Sequence, residues 1–320
     1  MSTEQREVDI SVVILTYFHE PYIAQCLDSV LAQETDLRVD ILVGDDASED
    51  GTPEIIREYM ERYPGRIQAV FHEENVGATR NGADVGALIR GKYVAYLEGD
   101  DCWLDPRKLQ KQWEILEAHP EYSACCGRCV VIDENGQPDY TRTPHFVWNR
   151  RVYTLDDLVE TWNIPGQMST LMYRTVLNGV TQEAASLAYQ AHRTVGDKTQ
   201  TLLLLAHGPI YCSGDVLSCY RSVDKSGGHN WFSIHHSNPY RNYDMFMYPC
   251  KLEAWAREYM GLPKDKHFGK RNPYRFCRFV EETVRDPSWT RVKYLAEMVR
   301  QSCQPARYSW MILKALIEME

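Results

Sequence analysis

Residues 10–46 read ISVVILTYFHEPYIAQCLDSVLAQETDLRVDILVGDD, and this stretch decides the fold. It begins and ends with short, continuous apolar runs at 10–16 and 39–43, which are typical of strands buried on both faces of a sheet. Between them, apolar residues recur over 22–31 at the spacing of a helix that packs on one side. A strand, a helix and a strand in this order predict two parallel strands joined by a crossover helix.

The same alternation continues to residue 118. Apolar patterns predict strands at 67–71 and 93–97 and helices at 52–63, 78–89 and 108–118. Thr52, followed by Pro53, supplies an N-cap and a first-turn proline for the first of these helices. We therefore expect an α/β/α sandwich with a mostly parallel central sheet, in which ligands bind at the carboxyl ends of the strands.

The pattern changes near residue 121. Strand-like pieces at 122–132, 169–173, 210–212 and 216–221 surround a single predicted helix at 198–207. Beyond residue 239 the chain is predicted to be helical and amphipathic. We therefore predict two domains, a sheet-containing domain at residues 1–232 and a helical C-terminal extension at residues 233–320.

Charge excludes one class of function. The 320 residues include 35 Lys and Arg and 45 Asp and Glu, so the net charge is −10. Nonspecific nucleic-acid binding needs a basic surface, and we expect no nucleic-acid partner. A phosphate-bearing ligand would need a metal ion or local cations to offset the negative field of the protein.

The ten cysteines are too dilute for a disulfide scaffold, and we predict reduced thiols. Cys125, Cys126 and Cys129 lie in an apolar run without a second pair at metal-binding spacing, which favours burial over a zinc site. No run approaches the roughly 20 apolar residues of a membrane span. Residues 1–9 lack the apolar core of a signal peptide. We expect a cytoplasmic protein, and a position at the inner face of the membrane is compatible with this expectation.

Acidic residues follow two of the predicted strands directly. Asp45 and Asp46 come after the second strand, and Glu98, Asp100 and Asp101 come after the fourth. Carboxylates are the hard oxygen ligands that suit Mg²⁺ or Mn²⁺. The alternative is that they cap the helices that follow. Adjacent acids exceed what one cap needs, so capping explains the fourth-strand group less well.

Two phosphate-binding motifs are disfavoured. Residues 86–93 read GALIRGKY and nearly match a Walker A loop, but Tyr93 stands where Ser or Thr must hold Mg²⁺. The segment also precedes a strand instead of following one. No G-x-G-x-x-G motif follows the first strand. P-loop hydrolysis and dinucleotide oxidoreduction are therefore poor interpretations of this chain.

Seven motifs in order resemble those of the family 2 glycosyltransferases, GT-A-fold enzymes that transfer a sugar from a nucleotide diphosphate. They are VVILTYFHE (12–20), VGDDASEDGT (43–52), NVGATRNGA (75–83), YLEGDDCWLDPRKLQKQ (96–112), GQMSTLMYR (166–174), VGDKTQTLLLLAHGPIY (195–211) and VLSCYRS (216–222). The resemblance covers about residues 8–232. The last ninety or so residues have no counterpart in it.

The resemblance implies a nucleotide site. Its base pocket would be lined by Leu15, Thr16 and Tyr17, and Asp46 would bond the uracil imide. Arg80 would reach the diphosphate.

The resemblance also implies a metal motif at residues 98–101. Asp100 would lie near the ribose and Asp101 nearest the ion, while Glu98 stands where the family often has the shorter Asp. His229 would be an additional metal or phosphate ligand, the alternative being a solvated loop histidine. Asp197 would be the catalytic base, the alternative being an N-cap of the helix after it.

These roles imply inverting transfer from a UDP-sugar, with Mg²⁺ or Mn²⁺, to a carbohydrate or lipid-linked carbohydrate acceptor, in bacterial surface polysaccharide synthesis. One alternative is a nucleotidyltransferase that makes a nucleotide sugar, although residues 16–20 lack the glycine its phosphate loop needs. Another is a catalytically silent sugar- or partner-binding module, against which the intact acids argue.

Residues 251–280 are locally basic with interleaved aromatic residues. This composition predicts peripheral contact with an anionic membrane. The alternative is a solvated helical face that packs on the catalytic domain.

Overall fold

The computed structural model describes residues 8–142, 151–175, 182–192, 195–222, 238–268, 273–302 and 305–317. The chain divides into two compact units. The first consists of Met1–Leu155, Asn163–Val180 and Arg193–Asn230, and the second of Asp156–Trp162, Thr181–His192 and Trp231–Glu320. The predicted domain boundary at residue 232 lies outside the described residues.

Nine strands of the described chain form one sheet. They are β1 (Ile10–Thr16), β2 (Val39–Asp45), β3 (Ile67–Phe71), β4 (Tyr93–Glu98), β5 (Cys102–Trp103), β6 (Ala124–Ile132), β7 (Val152–Tyr153), β8 (Met172–Arg174) and β9 (Ile210–Arg221).

The described helices alternate with the strands at first and then dominate the C-terminal part. They are α1 (Ile23–Leu31), α2 (Thr52–Arg62), α3 (Ala78–Gly86), α4 (Lys108–Ala118), α5 (Leu155–Thr161), α6 (Gln182–Tyr189), α7 (Asp197–Leu205), α8 (Arg241–Tyr259), α9 (Pro273–Arg285), α10 (Trp289–Gln301) and α11 (Pro305–Ile317). A 3₁₀ turn covers Met168–Thr170.

The sheet is mixed. Its order is β3-β2-β1-β4-β8-β6-β9-β5, and β7 pairs with β9. The first four of these strands run parallel, as predicted. β8 is antiparallel to both β4 and β6, and β6 and β9 are parallel to each other. The α/β fold with a helical C-terminal region is therefore confirmed, and every antiparallel pairing includes at least one strand from the part of the chain after residue 121.

Both faces of the parallel part are covered by helices. Val12 and Ile14 of β1 are buried in a core with Leu27 of α1. Val13, which points to the opposite face, packs with Val85 of α3. Coverage on both sides explains why the run at 10–16 is apolar throughout instead of alternating.

β1, β3 and α4 have the predicted bounds, most other elements differ by one to three residues at an end, and two differences have a clear physical reason. The N-cap of α2 is Gly51, while Thr52 begins the helix and its hydroxyl donates to Asp50 at 2.6 Å. The pieces predicted at 210–212 and 216–221 form one strand, β9, whose pairing with β6 is irregular near Arg128. An irregularity in pairing leaves the strand continuous, although its sequence pattern is interrupted.

The prediction that the cysteines are reduced is wrong for one pair. Cys102 of β5 and Cys219 of β9 form a disulfide, with their Cα atoms 5.4 Å apart. They lie directly opposite each other in an antiparallel pairing, which sequence spacing does not reveal. The other described cysteines are free, and Cys125, Cys126 and Cys129 are buried, as predicted.

The second unit has its own helical core. Phe246 of α8, Phe279 of α9, Met298 of α10 and Tyr308 of α11 pack together in it. Among the described residues, no helix is both long and apolar enough to cross a membrane.

Most aromatic side chains of the 251–280 segment are buried. Trp255, Phe268 and Phe276 are buried, while Tyr259 and Tyr274 are exposed. Three of the aromatic side chains on which the predicted membrane contact rested are therefore not available for it, because helix packing takes them into the core.

Lys108, the first residue of α4, is fully buried. Its Nζ lies 4.2 Å from the centroid of the Trp103 ring and has no hydrogen-bond partner in the described part of the chain. Burial lowers the pKa of this amine from 10.5 to about 7, because the charged form loses its hydration.

Lys108→Met should therefore stabilise the protein at pH 7. Between pH 7 and pH 10.5 the unfolded chain binds a proton at this position that the folded chain does not, so the contribution of Lys108 to the free energy of unfolding rises with pH. Methionine removes the buried amine and should raise the free energy of unfolding by roughly 2–4 kcal/mol at pH 7. The gain should shrink towards pH 10. Urea unfolding at several pH values measures both effects.

Lys111→Met provides the control on the same helix. Lys111 is partly exposed and its Nζ lies 2.6 Å from Asp105, so this variant should show no gain. A Lys108→Met variant that is no more stable than wild type at pH 7 would contradict the burial argument.

Candidate active site

The register of the parallel strands brings three loops to one edge of the sheet. Leu15 of β1 lies opposite Glu98 of β4, and Thr16 lies opposite Asp45 of β2. The segments after β1, β2 and β4 are therefore neighbours, and they carry most of the predicted site residues.

The turns after β1 and β2 are linked and strained. The Phe18 N–H donates to Ser48 Oγ at 2.9 Å, and the Ser48 hydroxyl donates to Asp45 at 2.6 Å. Phe18 and Ala47 have φ values of 58° and 61°, in the left-handed region that costs free energy for residues with a side chain. Strain held by hydrogen bonds in two adjacent loops is typical of a functional edge.

Asp46 and Tyr17 are neighbours at this edge of the sheet. The buried carboxylate of Asp46 accepts the backbone N–H groups of Val76 and Gly77 at 2.7 and 2.9 Å, at the entry to α3. Burial raises the pKa of Tyr17, whose hydroxyl is hydrogen-bonded by Asn75 and feels the charge of Asp46. The structure thus brings together the predicted pocket residues and also gives Asp46 a structural role.

The acids after β4 are crowded. Burial, together with the charges of Asp100 and Asp197, raises the pKa of Glu98 to about 8. Burial and Asp100 likewise raise the pKa of Asp101 well above its ordinary value. Asp100 Oδ2 lies 3.8 Å from His19 Nε2. The charge of Asp100 therefore adds to burial in raising the pKa of both Glu98 and Asp101.

Asp197 lies at the start of α7, close enough to act on Glu98 electrostatically. Its Oδ1 accepts the Lys198 N–H at 2.7 Å. The helix begins one residue earlier than predicted, at Asp197 itself, and the N-cap is Gly196. The predicted base therefore acts electrostatically on Glu98 of the predicted metal motif, although their chain positions are about a hundred residues apart.

A preformed metal cage is absent from the residues that the structure describes, since no three His, Cys, Asp or Glu side chains are placed there so that they could hold one ion. One reason is that both carboxylate oxygens of Asp101, the residue expected nearest the ion, already accept hydrogen bonds. Its Oδ1 accepts the Arg221 N–H at 2.8 Å, and its Oδ2 accepts Gln167 Nε2 at 3.1 Å.

Two predicted site residues are not brought into this group by described contacts. Arg80 is exposed and pairs with Asp84 at 2.8 Å, one turn along its own helix. His229 lies outside the described residues.

Arg221, at the end of β9, is a residue that sequence reasoning missed. Its guanidinium is buried and lies 4.3 Å from the centroid of the Tyr22 ring. It donates to the carbonyl oxygens of Asp100, Asp133 and Glu134 and to Gln25 Oε1. Arg221 therefore joins the acidic turn to α1 and to the turn after β6.

Gln167, which donates to Asp101, is the second residue of the site that was not predicted from the sequence. Both Arg221 and Gln167 stand in motifs that carried the family resemblance, and their membership in those motifs was the available signal. Neither residue type by itself indicates contact with an acidic group.

Comparison with known proteins assigns the family. Residues 11–177 match the model described as glycosyl transferase family 2. The putative teichuronic acid biosynthesis glycosyltransferase TuaG of Bacillus subtilis is 30% identical over 220 residues, which cover 68% of this chain and 80% of TuaG. The chain therefore belongs to glycosyltransferase family 2, which favours the transferase interpretation over the nucleotidyltransferase.

Other curated relatives are matched over part of their length. An uncharacterized protein of Mycobacterium tuberculosis is 40% identical over 165 residues, which cover 52% of this chain and 46% of that protein. The alignment thus spans about half the length of that relative.

Solved structures show the same fold. Staphylococcus aureus TarS 1–349, in complex with UDP-GlcNAc, aligns with a TM-score of 0.62 at 16% identity and covers 95% of this chain and 84% of that one. The mannosyltransferase PcManGT of Pyrobaculum calidifontis, in complex with GDP-Man and Mn²⁺, aligns with a TM-score of 0.50 at 16% identity, covering 98% and 87%. The predicted GT-A-like fold is confirmed.

Arg221→Lys should destabilise the protein by about 2–4 kcal/mol. Lysine keeps the charge but cannot reproduce the planar set of bonds to four oxygens, so buried acceptors lose their donors. Urea unfolding at pH 7 measures the loss. Arg142→Lys is the matched control at an exposed position, and it should change stability by less than about 0.5 kcal/mol. Equal stability of the two variants would contradict the role assigned to Arg221.

Proposed function

We propose that this chain transfers a sugar from a UDP-sugar to a hydroxyl group of an acceptor, with inversion at the anomeric carbon. The observation that carries the proposal is that Glu98, Asp100 and Asp101 lie at the sheet edge that also holds Asp46, with Asp197 close enough to act on Glu98 electrostatically. Family membership supports the reaction class.

The nucleotide is assigned to the loops after β1 and β2. Each oxygen of the Asp46 carboxylate accepts one backbone N–H and keeps a second lone pair, which a uracil imide N–H can fill. Leu15, Thr16 and Tyr17 lie at the adjacent end of β1 and would line the base pocket. The UDP-GlcNAc complex of TarS supports a uridine nucleotide as the first donor to test.

The acidic group fits a divalent cation. Glu98 and Asp100 supply hard oxygen ligands. Burial and the like charges of Asp100 and Asp197 raise the pKa of Glu98, and a cation would relieve that cost. Mg²⁺ is commonly held by one or two carboxylates together with substrate phosphates, so the lack of a preformed cage is compatible with this role. When bound, the ion would offset the negative charge of the diphosphate leaving group.

Asp197 is assigned as the general base. As the acceptor oxygen bonds to the anomeric carbon, the proton of its hydroxyl passes to the Asp197 carboxylate, and the bond from the anomeric carbon to the diphosphate breaks with its electron pair. Oδ1 accepts the Lys198 N–H at 2.7 Å and Oδ2 lies 3.9 Å from Lys198 Nζ, so each oxygen keeps a lone pair that can take the proton. Attack opposite the leaving group inverts the configuration.

The acceptor is proposed to be a carbohydrate or a lipid-linked carbohydrate of a bacterial surface polysaccharide. The name of TuaG, a putative teichuronic acid biosynthesis glycosyltransferase, supports this setting. In this proposal residues 1–232 form the transferase domain, and residues 233–320 form a helical extension to it.

Asp197→Asn should lower sugar transfer by roughly 10²–10⁴-fold, because asparagine keeps the shape of the side chain and cannot accept the proton. UDP affinity should change little, since the residue is assigned to the acceptor. UDP release from a panel of UDP-sugars, with and without carbohydrate acceptors, measures transfer, and calorimetry measures UDP binding.

Asp215→Asn is the control, at an exposed position of β9, and it should keep full activity. If Asp197→Asn retains more than about a tenth of the wild-type rate, Asp197 has only a structural role. Wild-type protein that releases no UDP from any donor would contradict the transferase proposal and favour a silent binding module.

A further inference from the structure

Helices α10 and α11 of the second unit each turn one face to the helical core. Leu295 and Met298 of α10 and Tyr308 of α11 are buried in it. An ordinary surface helix carries charged and polar residues of both signs on its opposite face. The opposite faces of α10 and α11 instead carry exposed apolar side chains together with exposed cations.

The exposed face of α10 is apolar and basic. Trp289 is 82% exposed and Val292 is 46% exposed. Lys293, Ala296 and Arg300 continue the same strip at helical spacing, and all three are exposed.

The exposed face of α11 has the same character. Trp310 is 60% exposed and Leu313 is 55% exposed. Arg307 and Lys314 flank them, and the Lys314 Nζ lies 5.7 Å from the centroid of the Trp310 ring. Large apolar side chains beside long basic ones are typical of helices that lie in a membrane interface.

The charge on these faces has one sign. At the exposed positions that the structure describes on α10 and α11, there are four cations and no acid. Glu297, the acid within α10, is half-buried and accepts the Tyr243 hydroxyl at 2.7 Å, and Asp286, which precedes the helix, lies 3.6 Å from Arg291. This surface therefore stands out in a chain whose net charge is −10.

We propose that the exposed faces of α10 and α11, which we call the C-terminal face, dock on an anionic lipid bilayer. Positive charge complements anionic headgroups, and Trp289 and Trp310 supply the amphipathic rings that settle at the headgroup level. A second copy of the chain fits less well, because a symmetric contact would set like charges against each other. The face replaces the 251–280 segment, whose aromatic residues are mostly buried, as the membrane contact.

Vesicle sedimentation tests the proposal with the full chain. The wild type should bind vesicles of 70% phosphatidylcholine and 30% phosphatidylglycerol at low salt and leave them at about 0.5 M NaCl, because screening weakens the attraction. It should bind pure phosphatidylcholine vesicles at least tenfold more weakly.

Two variants locate the contact. Each cation near an anionic surface contributes about fivefold to partitioning, so Lys293→Gln combined with Arg300→Gln should weaken binding roughly 25-fold. Trp310→Ser should weaken it roughly tenfold by removing apolar area. The matched control is Lys264→Gln combined with Lys266→Gln, two exposed cations of the 251–280 segment, which should bind like the wild type.

Thermal melts establish that each variant folds, which is expected because the substituted side chains are exposed.

Three results would overturn the proposal. They are the absence of binding to anionic vesicles, a loss as large in the control as in the α10 variant, and a concentration-dependent dimer that the α10 and Trp310 substitutions dissociate. A fourth result, binding to a DNA oligonucleotide as tight as to vesicles, would also overturn it, because nucleic acid would then replace lipid as the partner. None of these measurements depends on sugar transfer.

Discussion

Crowding of carboxyl groups at one edge of the sheet is the constraint on which the account depends. The register that sets Leu15 opposite Glu98 places the β4 acids beside the loops after β1 and β2. Burial and like charge raise the pKa of Glu98 to about 8, so this arrangement costs free energy in the folded chain. Hydrogen bonds to Asp101 from Gln167 and from the backbone of Arg221 offset part of that cost. A sheet edge with this excess of carboxyl groups is suited to binding a cation together with a ligand that carries hydroxyl groups.

The parallel half of the fold could be predicted because its signals are local. The bounds of β1, β3 and α4 agree with the sequence prediction, since apolar runs and helical spacing depend only on near neighbours in the chain. Asp46 and Glu98 could be placed at one edge for the same reason, because parallel strands end on the same side.

The rest of the site depends on contacts between distant residues. Arg221 reaches Asp101 across 120 positions and Gln167 reaches it across 66, and no spacing rule predicts such pairs. The pairing of Cys102 with Cys219 depends likewise on strand order. In the C-terminal helices, aromatic residues occur on several sides, so the sequence alone did not separate the buried Phe276 from the exposed Trp310.

Hydrogen–deuterium exchange with and without UDP and Mn²⁺ would show whether the acidic edge of the sheet binds the donor. The account predicts slower exchange in the segments at 15–20, 46–50, 75–77 and 98–101, and weaker protection when EDTA replaces the metal. Protection confined to residues 241–317, or no protection in the presence of saturating UDP and Mn²⁺, would show that the acidic edge of the sheet is not the donor site.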